Sequence, residues 1–359
     1  MKLVVFGLSV SSSWGNGHAT LWRGLIGALA ALGHRVVFFE RDVPYYAAHR
    51  DVDQLPGGDL VLYEGWDDDT LTAAKRHLDD ADVSMITSYC PDAIAAADLM
   101  LDMDLPVRVF YDLDTPVTLE RLREGRPVPY ISSRGLGDFD LVLSYTGGLA
   151  LSALRDQLGA RRTAPLYGSV DPEVHRPAGF REHYRADLSY LGTYAEDRQR
   201  ALTELFVEPA RRRRGRRFLI GGAQYPPDFP WAENIAFVRH LPPAEHPSFF
   251  SSSRLTLNVT RSPMAGLGFC PSGRLFEAAA CGAPLVTDAW EGLDEFFTPG
   301  EEILVARGPE DVLAAMDLDD AELSHMACAA RERVLAEHTA ERRAEQLVAV
   351  LDTTASARV

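Results

Sequence analysis

The sequence predicts an α/β protein made of two doubly wound halves, each with a parallel sheet covered by helices on both faces. Three observations predict this class. Short apolar, β-rich runs alternate with helical stretches, which is the pattern of buried parallel sheets. The chain has 359 residues, and this length favours two domains over one. A segment rich in proline and glycine, from Pro165 to Pro177, interrupts the alternation.

The elements of the first half follow one another along the chain. Apolar runs predict strands at Leu3–Phe6, Arg35–Phe39, Leu60–Tyr63, Val83–Thr87, Val107–Tyr111 and Leu141–Tyr145. Helical periodicity predicts helices near Thr20–Leu32, Thr70–Leu78, Ala93–Leu101 and Leu149–Leu158. Ligands of such sheets bind outside the carboxyl ends of the strands. We therefore look for functional residues in the loops that follow strands.

A second alternation begins after Pro177. It predicts strands at Leu188–Leu191, Arg217–Ile220, Ala236–Arg239, Leu255–Asn258 and Leu285–Thr287. It also predicts helices at Arg198–Phe206, around Pro247–Ser252, and from Ser272 to Gly282.

The helix that follows Ser272 is suited to bind an anion. Ser272 is a good N-cap residue, and Gly273 allows a ligand to approach the first turn closely. The N–H groups and the positive dipole end favour a phosphate or diphosphate, and Arg274 adds charge. Glu277 lies about one turn deeper on the same face and suits the hydroxyl groups of a ribose or sugar. The alternative is a solvated Arg274–Glu277 ion pair, worth a few tenths of a kcal/mol.

Two further loops of the second half suit a diphosphate. Arg261 directly follows a predicted strand and can neutralise a leaving diphosphate as its charge grows. The alternative is an ordinary surface arginine. Gly192 and Thr193 follow the strand Leu188–Leu191 in a loop that can contact phosphates.

The loop after the first strand contains Gly15, Asn16, Gly17 and His18. Its spacing does not match G-x-G-x-x-G, so a dinucleotide site has weak support. A histidine titrates near neutrality and can take a proton or contact a sugar hydroxyl. The alternative is a helix-capping or structural role for His18.

A D-x-D sequence, Asp112 and Asp114, ends another strand of the first half. Two carboxylates at a loop can hold Mg²⁺ or Mn²⁺ through their oxygen atoms. The same residues can instead bind an acceptor or act as a general base, or they can form part of a turn. We favour acceptor binding or base catalysis over metal, and Asp114 over Asp112, because Asp114 lies farther out.

These motifs resemble the retaining, family-4-like glycosyltransferases of GT-B fold, and in detail the spore-maturation glycosyltransferase-like family. The resemblance rests on Glu277 before a run of small residues and Cys-Gly-x-Pro, on the Trp-Gly-Asn-Gly-His stretch that ends at His18, and on a Gly-x-Val-Asp linker at Gly168–Asp171. It implies two Rossmann-like domains that face each other across a cleft. In this family the residue at Glu277 holds the ribose of the donor nucleotide.

The resemblance also implies domain bounds and a reaction. The expected domains are an acceptor-side domain at residues 1–177, completed by a C-terminal helix at about 339–359, and a donor domain at 178–338. The expected reaction moves a sugar from a UDP-, GDP- or dTDP-sugar to a small-molecule or glycan acceptor, with retention and with neither metal nor another cofactor. Its expected catalytic residues are His18 and Asp114.

One position departs from the family. The broader family has a second, sugar-facing glutamate eight residues before Glu277, and Phe269 stands there instead. The stereochemical outcome is therefore open. Two alternatives remain: a sugar-nucleotide epimerase of the same fold, and a degenerate member that binds a nucleotide or partner without catalysis.

Composition limits the partners. The 36 basic and 52 acidic residues give a formal charge of −16, which argues against nucleic acid or an anionic membrane as main partner. The basic run Arg211–Arg217 contains no aromatic residue, and we interpret it as a solvated loop. The 4 cysteines lack metal-ligand spacing. No apolar run is long enough to span a membrane, and we expect a cytoplasmic protein.

Overall fold

The computed structural model describes residues 1–357, which form two compact units. Unit 1 contains Met1–Tyr167 and the chain from Ala340 onward, and unit 2 contains Gly168–Thr339. Residues 168–177, expected in the first domain, group with unit 2 in the structure. The reason is a backbone hydrogen bond of 2.9 Å from the Val170 N–H group to the His338 carbonyl, which ties this segment to the end of unit 2.

Unit 1 is built around a sheet of seven parallel strands in the order β3-β2-β1-β4-β5-β6-β7. The strands are β1 Lys2–Gly7, β2 Arg35–Arg41, β3 Gly58–Tyr63, β4 Val83–Thr87, β5 Val107–Asp112, β6 Leu141–Ser144 and β7 Thr163–Pro165. The helices are α1 Gly17–Ala31, α2 Pro44–Ala47, α3 Asp68–Leu78, α4 Ala93–Asp102, α5 Thr115–Arg123, α6 Leu149–Leu158 and the C-terminal helix Ala340–Ser356.

Both faces of this sheet are buried. Along β1, Val4 and Phe6 belong to one apolar cluster, whereas Leu3 and Val5 belong to another. Successive side chains of a strand point to opposite faces, so each face has its own core. The C-terminal helix supplies Leu347 and other residues to the second cluster and packs against α1. Unit 1 thus includes the end of the chain.

Unit 2 has a sheet of six parallel strands in the order β10-β9-β8-β11-β12-β13. The strands are β8 Leu188–Leu191, β9 Phe218–Gly222, β10 Ile235–Arg239, β11 Thr256–Asn258, β12 Leu285–Asp288 and β13 Leu304–Ala306. The helices are α7 Glu196–Leu202, α8 Glu208–Arg212, α9 His246–Ser251, α10 Ser262–Leu267, α11 Gly273–Ala280, α12 Pro309–Asp317 and α13 Asp320–Glu337, with a π-helical Thr203–Val207 joining α7 to α8.

The predicted fold class is confirmed in both units. The sequence patterns predict only loops where α5 and α10 begin. Each helix has a proline in its first turn, Pro116 and Pro263, where a missing N–H group costs no hydrogen bond. The sequence patterns also leave β13, α12 and α13 unassigned. Within residues 1–357, no helix is both long and apolar enough to cross a membrane.

Candidate functional site

The anion-binding helix predicted in unit 2 is α11. Ser272 occupies its N-cap position with extended backbone angles, but its hydroxyl caps no N–H group of the first turn. The hydroxyl instead accepts a hydrogen bond of 3.3 Å from Nε of Arg274. Ser272 is therefore the N-cap residue, as predicted, but its side chain helps to orient Arg274 and does not cap the helix.

Arg274 joins the start of α11 to the loop after β8. Its Nη1 donates a 2.6 Å hydrogen bond to the Leu191 carbonyl. A Cβ atom added at Gly192 would lie 2.4 Å from the same Nη1, so a larger residue at this position would displace the guanidinium. Among the described residues, Arg274 and Glu277 form no direct ion pair, because the guanidinium points toward Leu191. The solvated-pair alternative is excluded.

Three arginines, Arg198, Arg261 and Arg274, repel one another near the loop that contains Gly192 and Thr193. Arg261 is paired with Asp197 at 2.8 Å. Arg198 donates from Nη1 to the Thr193 carbonyl at 3.2 Å, and its buried Nε has no hydrogen-bond partner. Burial lowers the pKa of Arg198, and repulsion by Arg274 and Arg261 lowers it further.

Three guanidinium groups with one paired carboxylate leave an excess of positive charge, which favours an anion with two or more charges. Arg198 is not among the site residues predicted from the sequence. Its signal is a basic residue in the first turns of the helix that follows the Gly192–Thr193 loop.

Glu277 lies in α11 between two histidines from other segments. Its Oε1 is 4.0 Å from Nε2 of His175, and its Oε2 is 3.5 Å from Nδ1 of His246. Burial alone would raise the pKa of Glu277, but His175, His246 and Arg274 outweigh burial and hold the pKa at about 2. The carboxylate is therefore ionised at neutral pH and can accept hydrogen bonds from hydroxyl groups. Neither histidine was identified from the sequence.

Phe269 occupies the position of the missing glutamate and has a strained backbone. Its φ of +48° lies in the left-handed region, which aromatic residues rarely adopt. Its N–H group donates to the Glu291 carbonyl at 2.7 Å. A Cβ atom on Gly292 would lie 2.3 Å from the ring. The loop before α11 is thus held by packing around Phe269, and such strain is common at ligand-binding sites.

In unit 1, a buried glutamate fixes the loop between β1 and α1. The carboxylate of Glu40 accepts hydrogen bonds from the Ser9 and Ser11 hydroxyls and from the N–H groups of Val10 and Ser11, at 2.6–2.9 Å. The loop that contains Gly15 and Gly17 follows directly.

At the end of this loop, Asn16 is the N-cap of α1, and its side chain accepts from the His18 N–H group at 3.0 Å. Asn16 thus has the capping role that was the structural alternative for His18. The imidazole of His18 remains available for another role.

His18 and Asp114 lie together, although they come from different loops of unit 1. Nε2 of His18 is 3.6 Å from Oδ2 of Asp114, and the two side chains are 19% and 18% exposed. This separation is slightly longer than a hydrogen bond. The pair is reached by solvent, and a carboxylate beside an imidazole can orient it and stabilise its protonated form.

The two aspartates of the D-x-D sequence have different surroundings. Asp112 is fully buried at the end of β5, whereas Asp114 is partly exposed at the start of α5. The Asp114 N–H group donates to Oδ1 of Asp112 at 3.1 Å. Within residues 1–357, this pair belongs to no group of three possible metal ligands. The buried Asp112 is poorly placed to coordinate a metal ion from solvent.

Asp112 should make stability depend on pH. Burial raises the pKa of Asp112 from 3.8 to about 6. The carboxyl group is protonated in both states below about pH 4, so its stabilising contribution is complete there and is lost as the pH rises through 6. Between pH 4 and pH 7.5, the parent should therefore lose about 2–3 kcal/mol of free energy of unfolding that Asp112→Asn does not lose.

Urea unfolding at the two pH values measures this difference, and Asp79→Asn, on the surface of unit 1, is the matched control. An equal change in both variants would contradict the assignment of the raised pKa to Asp112.

Two other expectations concern charge and thiols. Four arginines of the basic run pair with acids: Arg211 with Glu208, Arg212 with Glu310, Arg213 with Asp317, and Arg216 with Asp187. These pairs reduce the net positive charge of the run. Arg211 and Arg212 form the end of α8, so the predicted loop begins only at Arg213. Of the four cysteines, Cys328 is exposed and the other three are buried.

The chain resembles glycosyltransferases in sequence and in fold. Residues 198–349 match a family described as Glycosyl transferase-like. No curated protein matches the chain in a sequence comparison.

Solved structures match over the whole chain. Sucrose-phosphate synthase from Thermosynechococcus elongatus has a TM-score of 0.74 at 15% identity, with 99% of this chain and 100% of that chain covered. HepE from Anabaena, solved with UDP-glucose, has a TM-score of 0.69 at 11% identity, with 98% and 100% covered. An alpha-glucosyltransferase, solved with UDP-glucose and DNA containing an abasic site, has a TM-score of 0.67 at 12% identity, with 98% and 99% covered.

These matches confirm the GT-B fold that the sequence motifs predict. The matched family covers most of unit 2, including Arg198, Arg261, Arg274 and Glu277. The expected glycosyltransferase class is thereby confirmed.

Proposed function

We propose that this chain, a glycosyltransferase of GT-B fold, transfers a hexose from a uridine diphosphate sugar to a hydroxyl group of an acceptor. The observation that carries the proposal is the group of three arginines beside the start of α11 and the Gly192 loop. The choice of UDP-hexose over GDP- and dTDP-sugars is supported by the UDP-glucose in the structures of HepE and the alpha-glucosyltransferase.

We assign the donor to unit 2. Arg198, Arg261 and Arg274, with the N–H groups of Gly273 and the first turn of α11, would hold the diphosphate. Glu277, ionised and close to the start of the same helix, would accept hydrogen bonds from the ribose hydroxyls. Gly192 and Thr193 would line the phosphate site, since Arg274 crosses directly over Gly192.

We assign the acceptor to unit 1. His18 and Asp114 would lie near the reacting hydroxyl, with Gly15, Gly17 and the neighbouring loop as contacts. In the reaction, the acceptor oxygen forms a bond to the anomeric carbon of the sugar, and the bond from that carbon to the diphosphate breaks. The acceptor proton passes to a base or to the departing phosphate, and the negative charge on UDP is stabilised by the arginines.

Retention is the outcome that the family resemblance favours, although Phe269 stands where a sugar-facing glutamate is expected. The ring can pack against an apolar face of the sugar but cannot accept a hydrogen bond as a carboxylate would. Analysis of the product's anomeric configuration by NMR decides between the two outcomes. An inverted product would reject retention and leave the transferase assignment intact.

Transfer should not require a metal ion. The arginines supply the positive charge that a divalent cation supplies in metal-dependent glycosyltransferases. Of the two aspartates in the D-x-D sequence, Asp112 is buried and Asp114 is partly exposed. Activity in EDTA should equal or exceed activity without it. Loss of activity in EDTA that Mn²⁺ or Mg²⁺ restores would overturn this prediction.

A ligand screen tests the proposed function. UDP, GDP, dTDP and CDP are each added to the purified chain, and the unfolding temperature is measured. UDP should stabilise most, since a ligand at 100 times its dissociation constant adds about 2.7 kcal/mol. With UDP-glucose, release of UDP that depends on an acceptor supports a transferase. Isomerised sugar without acceptor supports an epimerase, and binding without turnover supports a degenerate member.

A further inference from the structure

Three potential metal ligands converge on one point in unit 2. They are His175 in the segment before β8, His246 at the start of α9, and Glu277 in α11, and one ligand atom from each lies within 4.8 Å of the others. Within the part of the chain that the structure describes, no other group of three His, Cys, Asp or Glu side chains is arranged in this way. The topology brings together three segments that are far apart in sequence.

The hydrogen bonding of His246 leaves Nδ1 facing the carboxylate. Its Nε2 lies 3.3 Å from the Leu241 carbonyl, and a carbonyl oxygen only accepts, so Nε2 bears a proton. Nδ1 faces Oε2 of Glu277 at 3.5 Å, and a metal ion that binds there takes the place of the Nδ1 proton. A metal-bound histidine typically donates its other N–H group to a carbonyl in this way.

His175 provides an independent observation. Its side chain is only 7% exposed, and neither ring nitrogen has a hydrogen-bond partner. A buried polar group without a partner is costly. Its Nε2 lies 4.0 Å from Oε1 of Glu277, too far for a hydrogen bond. The ring is therefore placed beside the carboxylate without bonding to it.

The spacing suits a cation between the three groups. Zn²⁺ binds nitrogen and carboxylate oxygen at about 2.0–2.2 Å, so two ligands of a tetrahedral site lie about 3.4 Å apart. The 3.5 Å distance between His246 and Glu277 already matches this spacing. The three ligand atoms lie within 4.8 Å of one another, so the remaining side chains need to approach by about 1.4 Å or less. Two imidazoles and one carboxylate are a known zinc donor set, and they disfavour Mg²⁺, which prefers oxygen ligands.

We propose that His175, His246 and Glu277 form a Zn²⁺ site, and that Zn²⁺ bound there inhibits the enzyme by occupying Glu277. The inhibition rests on the proposed function, because Glu277 is the residue assigned to the donor ribose. The metal site itself does not rest on it. Zn²⁺ and the nucleotide would then compete for one carboxylate, so each lowers the apparent affinity of the other.

Metal binding is tested first without nucleotide. All measurements use the full chain with the Cys328→Ser substitution, because an exposed thiol also binds Zn²⁺. Bound metal is first removed from the protein with a chelator, and the chelator is then removed. Co²⁺ should give visible ligand-field absorption that one equivalent of Zn²⁺ abolishes. His246→Ala and His175→Ala should each lower Zn²⁺ affinity by about 100-fold or more, whereas His183→Ala, on the surface of unit 2, should not.

Two results would overturn the metal site. One is the absence of stoichiometric Zn²⁺ binding by calorimetry. The other is equal Zn²⁺ affinity in the parent and in both folded histidine variants, with folding checked by circular dichroism. Two variants from separate segments are used so that misfolding of one does not decide the outcome.

Competition is tested by titrating UDP with and without Zn²⁺. The apparent dissociation constant of UDP should rise linearly with the free Zn²⁺ concentration in the parent, and it should rise far less in His246→Ala. The variant also corrects for Zn²⁺ that binds UDP in solution. UDP binding that is insensitive to Zn²⁺ in a chain that binds Zn²⁺ overturns the inhibition. Zn²⁺ binding in a chain that binds no nucleotide contradicts the proposed function and leaves the metal site standing.

Discussion

Replacement of His18 by alanine should lower turnover about 100-fold or more, which is the usual scale for a lost acid–base group. UDP affinity should stay within about twofold, because the residues assigned to the nucleotide belong to unit 2. Asp114→Asn should have a similar effect, since the carboxylate lies 3.6 Å from the imidazole and can orient it and stabilise its charge. Turnover with a transferable acceptor and UDP calorimetry measure the two quantities separately.

The matched control is His34→Ala, because His34 follows the other end of α1 and bonds to the N-terminal amine. It should change stability but not chemistry. The assignment fails if both the His18 and Asp114 variants retain near-normal turnover. It also fails if they lose UDP affinity as severely as a variant of Glu277.

Replacement of Arg198 by methionine should lower kcat/KM for the UDP-sugar by about 100-fold, the effect of removing a donor that stabilises charge on the leaving group. UDP affinity should fall as well, by about 1.5–3 kcal/mol, because hydrogen bonds to charged groups have this strength. The ligand-free variant should be no less stable than the parent, since the Arg198 guanidinium is repelled by Arg274 and Arg261.

Arg200→Met is the control for this prediction. Arg200 lies on the same helix, is exposed, and pairs with Glu204. It should leave both kcat/KM and UDP affinity unchanged. Normal kcat/KM in Arg198→Met would show that the buried guanidinium is structural and not part of the donor site.

Much of the fold was predictable because local patterns determine it. The strands Val83–Thr87 and Leu188–Leu191 have the predicted bounds, since each is a short apolar run between clear breaks. The helix α5 was missed because Asp114, Thr115 and Pro116 are typical of turns as well as of helix starts. Which role they take depends on the packing of α5, to which Thr118 and Leu119 contribute buried side chains.

The candidate site was predictable only where its residues are close in sequence. Arg274 and Glu277 are one turn apart on one helix, so the sequence places them together. Arg198 meets Arg274 only through the order of the strands in the sheet, which places β8 next to β11 and β11 next to β12. His175 and His246 reach Glu277 from two other segments. No local spacing reports such contacts.

Calorimetry of UDP binding tests the central claim, that unit 2 holds the nucleotide through α11. It compares the parent with Glu277→Ala in the presence of a chelator, so that Zn²⁺ does not compete. The account predicts one UDP per chain in the parent and affinity weaker by about 1.5–3 kcal/mol in the variant, with the fold unchanged by circular dichroism. Absence of UDP binding to the parent, or equal affinity in the folded variant, would contradict it.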